Sequence, residues 1–412
     1  MAKWTTNPWQ RRWWQACGLA WLPLVLGAVP LRAAEPASPA AAVQSGTVAA
    51  LEYAETPYSV NSVGVSLTQQ TAPFKKEPAA GKTAVRGTLN FGGAGNTVAF
   101  LWRRDDGKLF LDLNQNLDLT DDPAGVFSKS SPGAFNAFNY QTFTNIHLTL
   151  RTPSGAYPVL ADLHFWDFSS RPSCTAEVHS WWGGKVTLSS QEWQVGIIPS
   201  LSQFADSCDG GGLLLRPWER RSEAFSVNGN SLDALEFSRN VFAGGHAYEL
   251  HWLPKRADAQ LKPALEFVEK SVPLGDLKIS GQFIRRLVLR GGAYLVICDS
   301  PSETVKAPTG NYYLPDVLLE QKGVQAFCNS AAWRTQRTVK VADHTLANLV
   351  AGGPLTNTVS AARHGEDLTM NYQLMGAGGQ IYQMMNLDRS KPPEFAIYKG
   401  QRKVAAGNFE FG

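Results

Sequence analysis

Apolar and polar residues alternate along most of this chain with a period of two, in segments of four to eight residues punctuated by Gly, Asn, Asp or Pro. TVAFLWRR, DDG and KLFLDL follow one another over residues 97–113, and DLTMNYQL, MGAGG and QIYQMM over 367–385. PEFAIY, KGQR and KVAAGNFEF repeat the arrangement at 393–411. Successive side chains of a strand point to opposite faces, so this alternation with glycine-containing turns predicts antiparallel hairpins. The nearest thing to an amphipathic helix, AQLKPALEFVEK (259–270), is interrupted by Pro263, and its ALEFV portion reads equally as strand. The pattern predicts an all-β protein of antiparallel β-sandwich-like domains in tandem, with little helix.

The N-terminus departs from this pattern. Lys3, Arg11 and Arg12 precede an apolar run from about Ala16 to Leu31, and the small residues Ala33 and Ala34 follow. Those are the three regions of a secretory signal peptide. The run contains Pro23 and Pro30 and falls short of the roughly 20 apolar residues that a spanning helix needs. The expectation is therefore cleavage near Ala33 or Ala34, a periplasmic or secreted product, and no membrane span once the leader is removed. Residues 35–55 begin Ala/Pro/Ser-rich and read as a linker. Composition then suggests a β domain at 56–170, β units at 171–257 and 258–334, and a C-terminal sandwich-like unit at 335–412.

Removal of the leader changes the charge. The whole chain has 38 Lys and Arg against 35 Asp and Glu, but four of the bases and none of the acids lie in residues 1–34. The remainder has a formal charge of −1, being 34 bases against 35 acids. No electrostatic case for nucleic acid survives. Four cysteines remain as well: Cys174, Cys208, Cys298 and Cys328. An even count in an exported chain suggests two disulfides, and pairing between sequence neighbours (Cys174 with Cys208, Cys298 with Cys328) keeps each within one expected unit.

Candidate chemistry is sparse. FGGAG (91–95) and MGAGG (375–379) lack the strand–turn–helix setting of a phosphate cradle and read as turns. His246 and His251 are five residues apart, so a strand directs them to opposite faces. There is no HExxH, CxxC or GxSxG, and no convergent acid, base and nucleophile can be selected. Trp181-Trp182 precedes Gly183-Gly184 at an expected turn, which would leave at least one ring exposed for stacking on a sugar.

One stretch stands out: LFLDLNQNLDLTDDP, residues 109–123, with Asp112, Asn114, Asn116 and Asp118 on alternate positions. A plain strand has no reason to line up four residues that favour turns. A calcium loop does, because Ca²⁺ takes six to eight hard oxygens and a coiled loop brings alternate side chains to one point. The stretch resembles the EF-hand and dockerin type of loop, D-x-[DN]-x-[DN]-G-x, and also looks like loops of exported β-rich bacterial proteins. The resemblance implies that Asp112, Asn114 and Asn116 fill the first, third and fifth ligand positions. Asp118 fills the seventh, through its backbone carbonyl, and Leu119 the apolar eighth. Leu117 stands where the family has its turn-forming glycine, and Pro123 where it has a bidentate carboxylate, which leaves Asp121 or Asp122 to supply that group. The expected cofactor is structural Ca²⁺ of low affinity.

Together these features favour an exported, non-catalytic β-sandwich protein in surface or matrix binding or adhesion, with a polysaccharide or another surface protein as partner. A carbohydrate-binding protein using exposed aromatics, or a polysaccharide-active enzyme, are the alternatives.

Overall fold

The structure is a computed structural model. It describes residues 46–70, 74–93, 95–130, 140–152, 155–167, 171–199, 201, 211–223, 233–254, 262–329, 338–365, 367–385 and 390–410. Their secondary structure is almost entirely strand, with two three-residue 3₁₀ turns, Pro123–Gly125 and Trp218–Arg220. The all-β expectation holds. The expected leader lies outside the described residues, as does Cys208.

The first large sheet has eight strands: β3 (Asn61–Gln69), β4 (Ala84–Asn90), β5 (Thr97–Arg103), β6 (Lys108–Leu111), β7 (Val126–Ser128), β8 (Tyr140–Thr152), β9 (Gly155–Trp166) and β10 (Ser173–Val178). The period of two dictates it: every second residue of β4 and β10 is buried, and β8 follows the same alternation over most of its length. The sheet runs β7-β6-β5-β4-β3-β10-β9-β8, and its ends approach where Ser130 N–H, just after β7, donates to Thr142 O of β8 (2.9 Å). Phe100, Trp102, Phe143 and Phe165 fill its inner side, and Trp102 Nε1 donates to Gln141 Oε1 (2.8 Å) in that interior. β5 is buried on both faces. Val98, Phe100 and Trp102 enter the main core, while Leu101 packs outward on Phe110 and Leu119.

A five-stranded sheet joins β2 (Glu52–Glu55), β11 (Ser180–Leu188), β12 (Gln191–Ile198), β13 (Gly212–Pro217) and β14 (Ala234–Glu236). The largest sheet has twelve strands. They are β1 (Thr47–Ala50), β15 (Asn240–Ala243), β16 (His246–Leu253), β17 (Ala264–Lys270), β19 (Ile284–Arg290), β20 (Leu295–Asp299), β22 (Gly310–Gln321), β23 (Val324–Cys328), β24 (Thr338–Val341), β26 (Thr356–His364), β27 (Asp367–Met375) and β28 (Ile381–Met384). A three-stranded sheet of β18 (Leu274–Ser280), β21 (Thr304–Pro308) and β25 (Leu346–Val350), and a hairpin of β29 (Glu394–Lys399) and β30 (Arg402–Asn408), complete the fold. Among the described strands two pairings are parallel, β15 with β20 and β18 with β25.

The twelve-stranded sheet separates two cores. Val288, Leu295 and Ile297 face one, and Leu287, Leu289 and Val296 face the other. A strand covered on both faces reads as a continuous apolar run, as LVLR and LVIC do here, and not as an alternation.

Two structural findings bear on the expected domain ranges. Residues 47–55, expected as linker, supply β1 and β2, which pair with β17 and β11, because Ala49 and Leu51 are fully buried. Hydrogen-bonded ladders also cross the three expected boundaries: β9 with β10, β16 with β17, and β22 with β24. Residues 44–412 make up one compact unit.

Candidate functional site

β6 stops at Leu111, and residues 112–122 leave the sheet as a loop. The reason is local. Asn116 N–H donates to Asn114 Oδ1 (3.0 Å), Asp118 N–H to Asn116 Oδ1 (2.7 Å) and Thr120 N–H to Asp118 Oδ1 (2.8 Å). Each Asx side chain thus takes the amide two residues on, offering the backbone an alternative to the ladder. Gln115 and Leu117 adopt left-handed conformations, φ 62° and 67°. The turn that glycine makes in the resembled family is made here by a leucine, at a steric cost.

The loop has a buried root. Asp112 is 1% exposed, and its carboxylate accepts from the N–H groups of Asn116 (3.1 Å) and Leu117 (3.0 Å). Leu119 is 2% exposed against Leu101 and Phe110. The segment at 75–76 clamps the far side, with Lys75 N–H donating to Leu117 O (2.8 Å) and Leu119 N–H to Lys76 O (3.0 Å). Gln115 Nε2 donates to Gly95 O (2.8 Å), tying the loop to the turn between β4 and β5.

The end of the loop folds back over its start. Asn114 Nδ2 donates to Asp121 Oδ1 (3.1 Å), Asn116 Nδ2 to Asp121 Oδ2 (2.7 Å) and Asn114 N–H to Asp122 Oδ2 (3.4 Å). Burial, and then the charges of Asp112 and Asp121, push the Asp122 carboxyl above the usual range, against the Asn114 hydrogen bond. Asp118 is held low by the hydroxyl and N–H of Thr120. Its side chain turns toward Thr120 and, at 3.9 Å, toward Lys76 Nζ. The structure therefore gathers Asp112, Asn114, Asn116, Asp121 and Asp122, and directs the Asp118 carboxylate elsewhere. The carboxylates and the amide Oδ1 atoms are hard oxygens, but both amides here turn Nδ2 toward Asp121. Among the described residues no three His, Cys, Asp or Glu side chains converge as a ready metal cage; in this loop the convergence runs through asparagine amides.

Two expectations are corrected. Trp181 and Trp182 are 8% and 7% exposed, so neither offers a platform to a sugar. The glycines after them continue β11 and make no turn. Gly183 pairs with Gly196 of β12, and the Trp181 ring lies across both, where a Cβ at Gly183 would stand 2.1 Å from Cζ3. Trp182 packs edge-on to Tyr53 and Tyr157, each centroid 5.7 Å away.

The cysteine pairing is likewise absent. Cys174, Cys298 and Cys328 take part in no disulfide, so Cys174 makes no bond to Cys208. Cys298, Leu287, Val317 and Cys328 form one row across β20, β19, β22 and β23. Three interstrand spacings put the outer two about 14 Å apart, about twice the Cα separation a disulfide spans. Burial pushes the Cys298 thiol up to about 12.

Sequence reasoning missed an interior network of charge. Arg216 of β13 and Arg286 of β19 are fully buried, and Arg220 and Asp233 nearly so. Arg286 Nη1 donates to both oxygens of Asp299 (2.8 Å each), and Arg220 Nη1 to Asp299 Oδ1 (2.9 Å). Arg216 Nη1 donates to Asp233 Oδ2 (3.1 Å) and Arg286 Nη2 to the Leu215 carbonyl (2.6 Å). These bonds fasten the five-stranded sheet to the twelve-stranded one. The signal was an arginine inside each of two apolar strands, GLLLRP and IRRLVLR.

Comparison with family models, with curated proteins and with solved structures found no match to this chain.

Proposed function

We propose that this is an exported, non-catalytic β-rich binding protein, periplasmic or secreted, in which residues 112–122 take up structural Ca²⁺. Its partner would be a polysaccharide or another surface protein, with surface or matrix attachment as the role. Export rests on the three-part N-terminal sequence. The single observation that carries the calcium reading is the fold-back of Asp121 and Asp122 onto Asn114 and Asn116 above the buried Asp112. That fold-back supplies carboxylates where Pro123 stands in place of the family's own. A bound cation would turn the two amides so that Oδ1, not Nδ2, faces the centre. It would also offset the burial, and after it the charges of Asp112 and Asp121, that raise Asp122. The ion's contribution would be to hold the loop against Leu101 and Phe110, not to perform chemistry.

A loop without the glycine and the bidentate residue belongs with extracellular modules, with Kd about 10⁻⁴–10⁻³ M. At an ion concentration ten times Kd, binding adds about 1.4 kcal/mol of stability. Calorimetric titration of the chain should show saturable heat with millimolar Ca²⁺, and thermal unfolding should shift upward by a few degrees. Asp112→Ala should abolish both, and Mg²⁺, which prefers a rigid octahedron and keeps its waters, should substitute poorly. Absence of heat and of any melting shift would leave the stretch a chain of Asx turns and end the reading.

A further inference from the structure

Most sheet edges among the described residues are short or closed. β1 and β2 have four residues each, β14 three, and β21 and β25 five each. β7 meets β8 through Ser130 and Thr142. β30 opens with Arg402 and Lys403, the kind of charge that guards an edge. β26, TNTVSAARH, which ends the twelve-stranded sheet, is neither short nor closed. Eight of its nine residues are exposed and the ninth is half-buried. It contains no Pro, no Lys and no acid, and its one full charge, Arg363, stands beside the hairpin tip.

The hairpin behind it needs support. β26 pairs with β27 along its whole length, but β27 is held to β28 only at Leu374 and Met375. The remainder is a two-stranded ribbon, an arrangement of marginal stability in water without a third strand or a covering layer. The other face of the question is β27, where Tyr372 already packs on Phe409, beyond β30, with centroids 5.5 Å apart. Among the described residues the outer edge of β27 is unpaired over 367–373 as well, but β26 is the longer open run, nine residues without an acid.

We propose that β26 pairs antiparallel with β26 of a second copy of this chain, joining two twelve-stranded sheets into one. Backbone chemistry makes the occupant a strand, since the outward N–H and C=O groups of β26 require a ladder. The sequence makes that strand its own copy. With the two-fold axis at Ser360, Val359 stands opposite the partner's Ala361, Thr358 opposite the partner's Ala362, and Arg363 opposite the partner's Asn357. The two arginines fall at opposite ends, six residues or about 20 Å apart along the strand, so no like charges meet. Because the axis closes the pair, association stops at two. The proposal is independent of calcium.

The test is sedimentation of the full chain over a concentration series, which should show the mass of a 44.9 kDa chain doubling. Val359→Lys with Ala361→Lys clusters four ammonium groups at the axis and should raise the dimer dissociation constant by about tenfold or more. Val359→Lys with Ala361→Glu sets each Lys opposite a carboxylate and should restore the dimer. Both positions are exposed, so circular dichroism and thermal unfolding of the diluted variants should match the parent chain. A native chain that stays monomeric throughout, a dimer indifferent to both pairs of substitutions, or open-ended polymers would each overturn the proposal.

Discussion

Gly183→Ala is a small change with a large expected cost, because Trp181 occupies the space. A Cβ at position 183 would lie 2.1, 2.3 and 2.8 Å from Cζ3, Cη2 and Cε3 of that ring, all closer than van der Waals contact. The ring is 8% exposed and cannot swing away without leaving the core. Overpacking of this kind costs about 1–3 kcal/mol. Trp181→Ala alone removes a buried indole, at about 3–5 kcal/mol. In the double variant the obstacle is gone, and alanine at 183 instead restricts the unfolded chain, worth about 0.4–1 kcal/mol. The double variant should therefore be more stable than the sum of the singles by about 1.4–4 kcal/mol. Urea unfolding of the four chains, followed by far-ultraviolet circular dichroism, measures this directly. Gly196→Ala is an internal control. Its Cβ would meet the same ring at 2.4 Å but also the Trp182 carbonyl at 2.8 Å, so Trp181→Ala should relieve it only in part. Costs at 181 and 183 that add within about 0.5 kcal/mol would refute the packing argument.

Two further predictions concern charge. Asp299→Asn should destabilise the chain by about 3–5 kcal/mol, since it leaves Arg286 and Arg220 buried with a weaker partner. Glu192→Gln, which breaks the exposed pair with Lys185, should cost under about 1 kcal/mol in the same urea series. In the second, His179 Nε2 lies 3.5 Å from Asp162 Oδ2, and that carboxylate also accepts from Asn145 N–H (2.9 Å). The contact with Asp162 raises the His179 pKa against its burial. Burial of Asp162 pushes its own pKa up, but His179 and Asn145 outweigh it and hold it low. A raised histidine stabilises fully below its unfolded value of about 6.5 and loses that stability as pH climbs through the folded value. A lowered aspartate stabilises above about 3.9 and fails as pH falls through its folded value. The pair should thus support the fold best between about pH 4 and 6.5, and Asp162→Asn should flatten the decline in melting temperature from pH 6 to 8. An unchanged slope in that variant would show that the pair is not the cause.

The fold class was legible because the governing signal is local. Alternation in AVRGTLN and SCTAEV is the burial pattern of β4 and β10 itself, set by the geometry of one strand. What could not be read is which strand lies beside which. β1 pairs with β17 and β15 runs parallel to β20, contacts separated by some two hundred and some fifty residues. A period of two says that a face is buried but not against what. The same blindness explains Trp181-Trp182. Two glycines following two tryptophans read as a turn by conformational freedom, whereas here they serve the opposite end, flatness, letting an indole lie across two paired strands.

The 112–122 loop was legible for a different reason: Asx side chains bond within two residues of themselves, so sequence spacing and structure share one length scale. The arginine network lies at the other extreme. Arg216, Arg220, Asp233, Arg286 and Asp299 come from five separate positions spanning 84 residues, and none is notable without its neighbours. Burying an isolated guanidinium in either apolar strand would be prohibitive, so an arginine within GLLLRP or IRRLVLR already implies a carboxylate arriving from elsewhere. The sequence announces the need but not the donor. Leu117 presses the point within the loop, since side-chain volume argued against a left-handed turn there. The turn forms nonetheless because the Asp112 carboxylate takes the Leu117 N–H while Lys75 takes its carbonyl. Backbone bonds on both sides of the residue fix a conformation that its side chain alone would not choose.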